Sequence, residues 1–297
     1  MVLRVSNLTK TFPGGRGVFD LTFEVKHGEA FGYLGPNGAG KSTTIRHLMG
    51  FMKPDRGRAT ILGLNCTTES AEIQKKVGYL PGEIALPDGM NGLQVLELLG
   101  SMRGMKNVAR RNALIDRFQF DAKTPVRKMS KGMKQKVGIV AAFMHDPELL
   151  ILDEPTSGLD PLMQHLFVEL ISEEKSRGKA LLMSSHIFNE IERTCDRVGI
   201  IKDGKLVAIE DVRRLQTMQR RLFDITFTNR ADMEAVKQSG LAVAAEDGLT
   251  VTIAVQGNYE RLVAALIGKG IANMDVRTEK LEDFFMHFYD RKAGMAG

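Results

Sequence analysis

Nine consecutive residues restrict this chain more than any others: Gly35-Pro36-Asn37-Gly38-Ala39-Gly40-Lys41-Ser42-Thr43. They fit G-x-x-x-x-G-K-[ST], the pattern of a phosphate-binding loop. Glycine lets the backbone curl until successive N–H groups point inward at phosphate oxygens. The N-terminus of the helix that must follow adds positive potential. Lys41 has the reach for β- and γ-phosphates, and the Ser42 hydroxyl suits a Mg²⁺ ion. A chance glycine-rich turn before a helix would show some of the same letters, but the flanks argue against it. Glu29 to Leu34 reads as a buried strand running in, and Thr43 to Met49 as a helix running out with Gly50 as its stop.

Such a loop needs a sizeable domain around it, and 297 residues with 43% hydrophobic content supply one. No apolar run approaches the roughly 18 residues of a spanning helix, and Met1 to Ser6 lack the apolar stretch of a secretory signal. The expectation is a cytosolic chain, peripheral to the inner face of a membrane if it works at one, with another polypeptide spanning that membrane. Cys66 and Cys195 have no metal-ligand spacing and read as reduced structural thiols. The net charge of +5 is mild: it suits phosphate ligands or an anionic membrane surface and gives no reason to expect nucleic acid as a partner.

Up to about residue 217 strand-like runs alternate with amphipathic helices, which predicts an α/β core with a mainly parallel sheet. Leu3 to Leu8 and Phe19 to Val25 form a strand pair around Pro13-Gly14-Gly15-Arg16-Gly17, the start of an antiparallel β subdomain that Arg58 to Leu62 follows. A helical subdomain spans about 85–147. Strands return at Leu149 to Leu152 and Ala180 to Met183. Asp160-Pro161 opens a helix that Gly178 closes, and Lys202-Asp203-Gly204-Lys205 turns a hairpin. From 218 to 297 the order is strand, helix, strand, strand, helix, strand, with a last helix at Leu281 to Asp290. That is the order of a small ferredoxin-like α+β module, expected here as an accessory domain.

Two further segments carry chemistry. The apolar strand Leu149 to Leu152 ends in Asp153-Glu154, where the first carboxylate is placed to hold Mg²⁺ and the second to take a proton from water. Taken alone, this is also any strand end with solvated acids. Met129-Ser130-Lys131-Gly132-Met133-Lys134-Gln135 offers a helix N-cap and an anion-binding N-terminus. In isolation it reads equally as an ordinary helix start with solvated lysines.

The order of parts changes that reading. Phosphate loop, helical region, Ser-Lys-Gly-Met-Lys-Gln, Leu-Asp-Glu-Pro-Thr-Ser-Gly-Leu-Asp-Pro and Ser-Ser-His follow one another. In this succession residues 1 to 217 resemble the nucleotide-binding subunit of ABC transporters, a P-loop NTPase fold. The resemblance implies two such domains meeting head to tail around two ATP molecules. It makes Gly35 to Thr43 the Walker A loop, Asp153 the Walker B aspartate, Glu154 the catalytic glutamate and His186 the switch histidine. Ser130, Lys131, Gly132 and Met133 become the signature that closes on the partner's ATP, and Ser157-Gly158-Leu159-Asp160 the D-loop between subunits. Phe12 takes the place of the aromatic that stacks on adenine. A packing role for Phe12 and a helix-capping one for His186 are the plain alternatives.

The chain departs from the family pattern twice. The signature is usually Leu-Ser-Gly-Gly-Gln, and here Lys131 replaces its first glycine and Met133 its glutamine, a mark similar to export-type systems. Gly82 stands where the Q-loop glutamine should follow Pro81, with Glu83 one residue on as its candidate substitute. Lys280-Leu281-Glu282-Asp283-Phe284-Phe285 is similar to the closing pattern of the tail domain in export-type subunits. The implied activity is ATP hydrolysis that powers a separate integral-membrane permease, in an export system, with a second nucleotide-binding subunit as partner and the homodimer as first expectation. The rivals are an ABC-type ATPase acting on ribosomes or DNA, and an ATP-dependent regulator with little turnover.

Overall fold

Leu149-Leu150-Ile151-Leu152 has no polar residue on either face, so the strand it forms must be covered on both sides, as a central parallel strand is. The computed structural model of the chain, which describes residues 1–218, 221–257 and 259–278, places it there.

The first compact unit spans Met1–Glu210. Its elements are β1 (Leu3–Thr11), β2 (Gly17–Val25), β3 (Ala30–Leu34), α1 (Lys41–Leu48), β4 (Arg56–Ile61), β5 (Leu64–Asn65), α2 (Ser70–Lys76) and β6 (Val77–Leu80). A helical stretch follows with α3 (Gly92–Met102), α4 (Ala109–Arg117) and α5 (Lys131–Phe143). The chain then returns to the sheet through β7 (Leu149–Asp153), α6 (Pro161–Ser176), β8 (Ala180–Ser185), α7 (Phe188–Thr194), β9 (Arg197–Lys202) and β10 (Lys205–Asp211).

A six-stranded sheet has the order β10-β9-β3-β8-β7-β6, and β9, β3, β8, β7 and β6 run parallel. Every residue of β3, β7 and β8 is buried. A second sheet, β2-β1-β4-β5, is antiparallel. The two share one core. Phe23 of β2 stacks on Phe31 and Tyr33 of β3 at centroid distances of 5.4 and 5.3 Å, so three aromatic rings join the sheets beneath the phosphate loop.

The caps follow the sequence. Asp160 accepts from the Met163 N–H at 3.0 Å with Pro161 behind it, and Gly178 takes φ +79° past the end of α6. Asn91 and Gln94 form a capping box on α3. In the hairpin between β9 and β10, Asp203 and Gly204 both have positive φ, as a type I′ turn requires. Helix α5 packs against α3, α4 and β6, and so ties the helical stretch to the sheet.

The second compact unit begins at Asp211, a little before the composition shift near residue 217, with α8 (Val212–Met218) as its first element. It continues with β11 (Arg221–Phe227), α9 (Arg230–Lys237), β12 (Ala242–Asp247), β13 (Thr250–Val255), α10 (Glu260–Leu266) and β14 (Ile271–Thr278). Its sheet has the order β12-β13-β11-β14 and is antiparallel throughout. Phe223, Ile225, Phe227, Val251 and Ile253 make its core with Met233, Val236 and Leu262 of its helices. The helix expected at Leu281 to Asp290, and with it the Lys280 to Phe285 pattern, lies outside the described residues. Cys66 and Cys195 are free and buried, and burial pushes each thiol up to about 12. Both are therefore inert thiols, as expected.

A half-buried histidine outside the site titrates in an accessible range. His145, just past α5, holds its Nε2 3.3 Å from the Val77 carbonyl oxygen. Burial first, and the Arg103 charge second, lower its pKa to about 4. The unfolded chain therefore binds more protons than the folded one between about pH 4 and the ordinary histidine value near 6.5, so unfolding free energy rises with pH across that window. Urea titrations from pH 4 to 7 should show this rise, and His145→Gln should flatten it.

Candidate functional site

Parallel register decides where the functional side chains meet. Leu34 of β3 pairs with Ser185 of β8, and Asp153 of β7 pairs with Ser184. The C-terminal ends of three neighbouring strands therefore reach the same edge of the sheet together. This is where open α/β sheets bind ligands. The phosphate-type loop leaves β3, the two carboxylates end β7, and His186 follows β8.

The loop has the strained geometry its glycines permit. Gly38 and Gly40 adopt φ of +82° and +109°. A methyl at Gly35 would stand 2.3 Å from the Ile201 carbonyl oxygen, so only glycine fits there. Gly40 is the N-cap of α1, and no side-chain cap hydrogen bond forms there. Lys41 is 5% exposed. Its Nζ donates to the carbonyl oxygens of Gly35 at 2.6 Å and Pro36 at 3.2 Å. Ser42 is exposed beside it, Thr43 is half-buried, and Ala39 is buried.

Lys41 Nζ also lies 3.2 Å from Glu154 Oε1, and Glu154 Oε2 lies 2.7 Å from His186 Nδ1. Lysine, glutamate and histidine thus form one continuous polar chain across the strand ends. Glu154 has φ +49°, a left-handed conformation uncommon for glutamate. Two bonds hold it there: its N–H donates to the Ser184 carbonyl oxygen at 3.2 Å and to Ser184 Oγ at 3.1 Å. Strain of this kind at a strand end marks functional positions. The His186 side chain is 46% exposed, so its far face is open to an incoming group.

Asp153 is 3% exposed. Its Oδ1 takes a short hydrogen bond from Ser184 Oγ, while Oδ2 faces Gly82, where an added methyl would lie 3.2 Å from it. Among the described residues no cluster of three or more His, Cys, Asp or Glu could cage a metal by itself. One buried carboxylate with a free oxygen, plus the Ser42 hydroxyl, is the oxygen-only and sparse donor set that a phosphate-bound Mg²⁺ takes from protein. The residues fit that ion.

Gly82, and not Glu83, is the Q-loop residue that approaches Asp153. Glu83 is exposed and has no hydrogen-bond or ion-pair partner among the described residues; it shares a cleft with Met129, Lys131, Lys134 and Gln135. Tyr79, in β6 just before this turn, has its phenol pushed up to about 12, chiefly by burial and then by the Asp153 charge.

The signature residues open α5. Ser130 is its N-cap and accepts from the Met133 N–H at 3.2 Å. Lys131 reaches to Ser157 Oγ at 2.9 Å, and the Ser157 N–H donates to the Glu154 carbonyl oxygen at 3.2 Å. Signature and cluster are therefore joined through the D-loop. Leu159 is buried there, and Asp160 is occupied in capping α6. Phe12 is half-buried in the β1–β2 turn, its N–H bonded to the Arg16 carbonyl oxygen at 2.7 Å.

Three supporting residues escape sequence reading. Ser184 serves both Asp153 and Glu154, and only the Ser-Ser pair before His186 hints at it. Gln135, buried in α5, donates to the Pro155 carbonyl oxygen at 2.7 Å. Glu190 bonds two loops at once. No local pattern marks the last two: Gln135 meets a carbonyl 20 residues on, and Glu190 joins Thr156, 34 residues away, to Ser185, five residues away.

Comparison with known proteins gives the family. The pattern of the ABC transporter family matches residues 18–157. The uncharacterized ABC transporter ATP-binding protein YhcH of Bacillus subtilis (strain 168) is 32% identical over 296 residues, covering 96% of this chain and 95% of that one. The chain belongs to the ATP-binding proteins of ABC transporters. The bacitracin transport ATP-binding protein BcrA of Bacillus licheniformis is 33% identical, with 96% of each chain covered. A solved ATP-binding subunit of an ABC transporter superposes with a TM-score of 0.68 at 34% identity, over 73% of this chain and 92% of that one. This ABC-type chain therefore binds ATP and is an ATPase on a P-loop NTPase fold.

One contact in it sets the sign of a mutation. A methyl at Gly132 would stand 2.7 Å from the Gly158 carbonyl oxygen. In a free helix alanine is favoured over glycine by about 1 kcal/mol. Here the clash with backbone should win, so Gly132→Ala should lower unfolding free energy by about 1–3 kcal/mol, read from urea midpoints.

Proposed function

We propose that this chain is the nucleotide-hydrolysing subunit of an export system, working as a pair of copies on the cytoplasmic face of a membrane permease. The observation that carries the reading is the chain of contacts from Lys41 through Glu154 to His186. A γ-phosphate reaching Lys41 competes with Glu154 for the same ammonium. The carboxylate is then released toward water, with His186 still holding its other oxygen. Glu154 next orients the attacking water and accepts its proton. Lys41, the N–H groups from Gly35 to Thr43 and the free end of α1 stabilise the charge that builds on the phosphoryl oxygens. Ser42 and Asp153 would hold Mg²⁺, which when bound neutralises charge shared between the β- and γ-phosphates.

The signature residues Ser130, Lys131, Gly132 and Met133 face the partner copy's ATP, and Ser157 to Asp160 form the seam between copies. Lys131 brings a cation to that seam where the usual sequence has glycine. Phe12 stacks on adenine, and His186 senses the γ-phosphate. For Glu83 to stand in for the missing Q-loop glutamine, its side chain must leave the cleft of Met129, Lys131 and Lys134 for Asp153; unchanged ATPase activity in Glu83→Ala removes it from that role. Export is supported by full-length similarity to the bacitracin transport protein and by similarity to the Nod factor export ATP-binding protein I of Rhizobium etli over 68% of this chain. Among the described residues no helix is long and apolar enough to cross a membrane. In this reading the permease is a separate chain, as expected of an ATP-binding subunit. The 211–297 unit is an accessory domain.

The test is Glu154→Gln. It should retain ATP, lose about 10²- to 10⁴-fold in turnover, and trap a nucleotide-bound dimer visible by size-exclusion chromatography. Turnover at the wild-type rate would remove Glu154 as base. Co-purification of a polytopic membrane protein from solubilised membranes would support the permease partner, and recovery with ribosomes or DNA would overturn it.

A further inference from the structure

Glu190 lies on α7, four residues past His186, and no role above uses it. Its two carboxylate oxygens take two different hydroxyls. Oε1 receives a short hydrogen bond from Thr156 Oγ1, and Oε2 receives one from Ser185 Oγ at 2.6 Å. Ser185 Oγ in turn accepts the Ile187 N–H at 2.9 Å. Both hydroxyl residues are buried, Thr156 at 6% exposure and Ser185 at 0%. Glu190 is itself fixed on its helix, where its carbonyl oxygen accepts from Thr194 Oγ1 at 2.6 Å.

The positions of these partners give the carboxylate its meaning. Thr156 stands two residues after Glu154, in the turn that opens the D-loop. Ser185 and Ile187 flank His186 on either side. One half-buried acid therefore ties the backbone that carries Glu154 to the backbone that carries His186. Their own contact, 2.7 Å between Glu154 Oε2 and His186 Nδ1, is made between the same two loops. Two loops with independent freedom would spread that distance. Charge-assisted bonds from one rigid acceptor to both restrict it.

Resting on the ATPase reading above, we propose that Glu190 is a positioning residue for hydrolysis, holding Glu154 and His186 in register without touching the nucleotide. A carboxylate suits this task because it accepts from both hydroxyls at once. Glutamine keeps the shape but presents an amide N–H to one of them, and that hydroxyl must turn its own proton away.

The experiment measures phosphate release and ATP affinity for the purified full chain, Glu190→Gln, His186→Ala and the double variant, with Glu154→Gln as control. Glu190→Gln should lower kcat about tenfold or more while the ATP Kd changes less than about twofold, because the phosphate loop is untouched. On the His186→Ala background the same substitution should cost less than about twofold, since residues acting as a unit are not additive. Equal losses with and without His186, or wild-type kcat in Glu190→Gln, overturn the proposal. A control Glu154→Gln as active as wild type overturns the underlying reading instead. If Glu190→Gln does not fold, Thr156→Ser and Thr156→Val replace it. The serine variant, which keeps the hydroxyl, should retain activity, and the valine variant should lose it several-fold; equal activity of the two overturns the proposal.

Discussion

The parallel ladder of β3, β8 and β7 is the constraint on which the rest of this molecule depends. Each of these strands is buried on both faces, and their register aligns Leu34 with Ser185 and Ser184 with Asp153. A shift of one residue in that ladder would turn every side chain to the opposite face. It would move Asp153 away from Ser184 and Glu154 away from Lys41. Covering the strands therefore serves position as much as stability. The Phe23, Phe31 and Tyr33 stack and the helices that enclose the sheet hold the ladder still at its functional end.

On that scaffold the electrostatics are local and almost fully paired. Lys41 sits in a ring of acceptors, two carbonyls and one carboxylate, which stabilises an ammonium at 5% exposure. A buried charge without partners would be strongly unfavourable, and the acceptors that satisfy the Lys41 ammonium also fix where it points. Glu154 is held at an unusual backbone conformation by Ser184 and at its side chain by Lys41 and His186. Lys41, Glu154 and His186 are thus restrained by protein groups alone, the kind of arrangement that preorganisation requires.

The signature segment shows how a departure from a family pattern is absorbed. Lys131 replaces a glycine, yet its stem lies along Gly158 and its ammonium bonds to Ser157. Gly132 remains because no side chain fits against the Gly158 carbonyl. Gly82 has a different meaning: in place of the expected glutamine there is close approach of backbone to the Asp153 carboxylate.

Much of this was legible without coordinates, for physical reasons. The phosphate loop, Asp153-Glu154 and the Asp160-Pro161 cap are contiguous in sequence, and their chemistry depends on neighbours a few residues away. The ends of β7 and α6 fall where composition places them. Ser184, Gln135 and Glu190 were not legible, since a serine, a glutamine and a glutamate carry no mark of the partners 20 to 34 residues distant that they meet in the fold. The sequence by itself determined the family, the fold class and which residues are the candidates for the reaction, because those rest on short motifs and on hydrophobic period. Tertiary structure alone decided which oxygen faces which hydrogen: that Glu154 spans Lys41 and His186, that Gly82 rather than Glu83 meets Asp153, and that one carboxylate on α7 joins two loops. Those distances follow from strand register and helix packing, which no local pattern encodes.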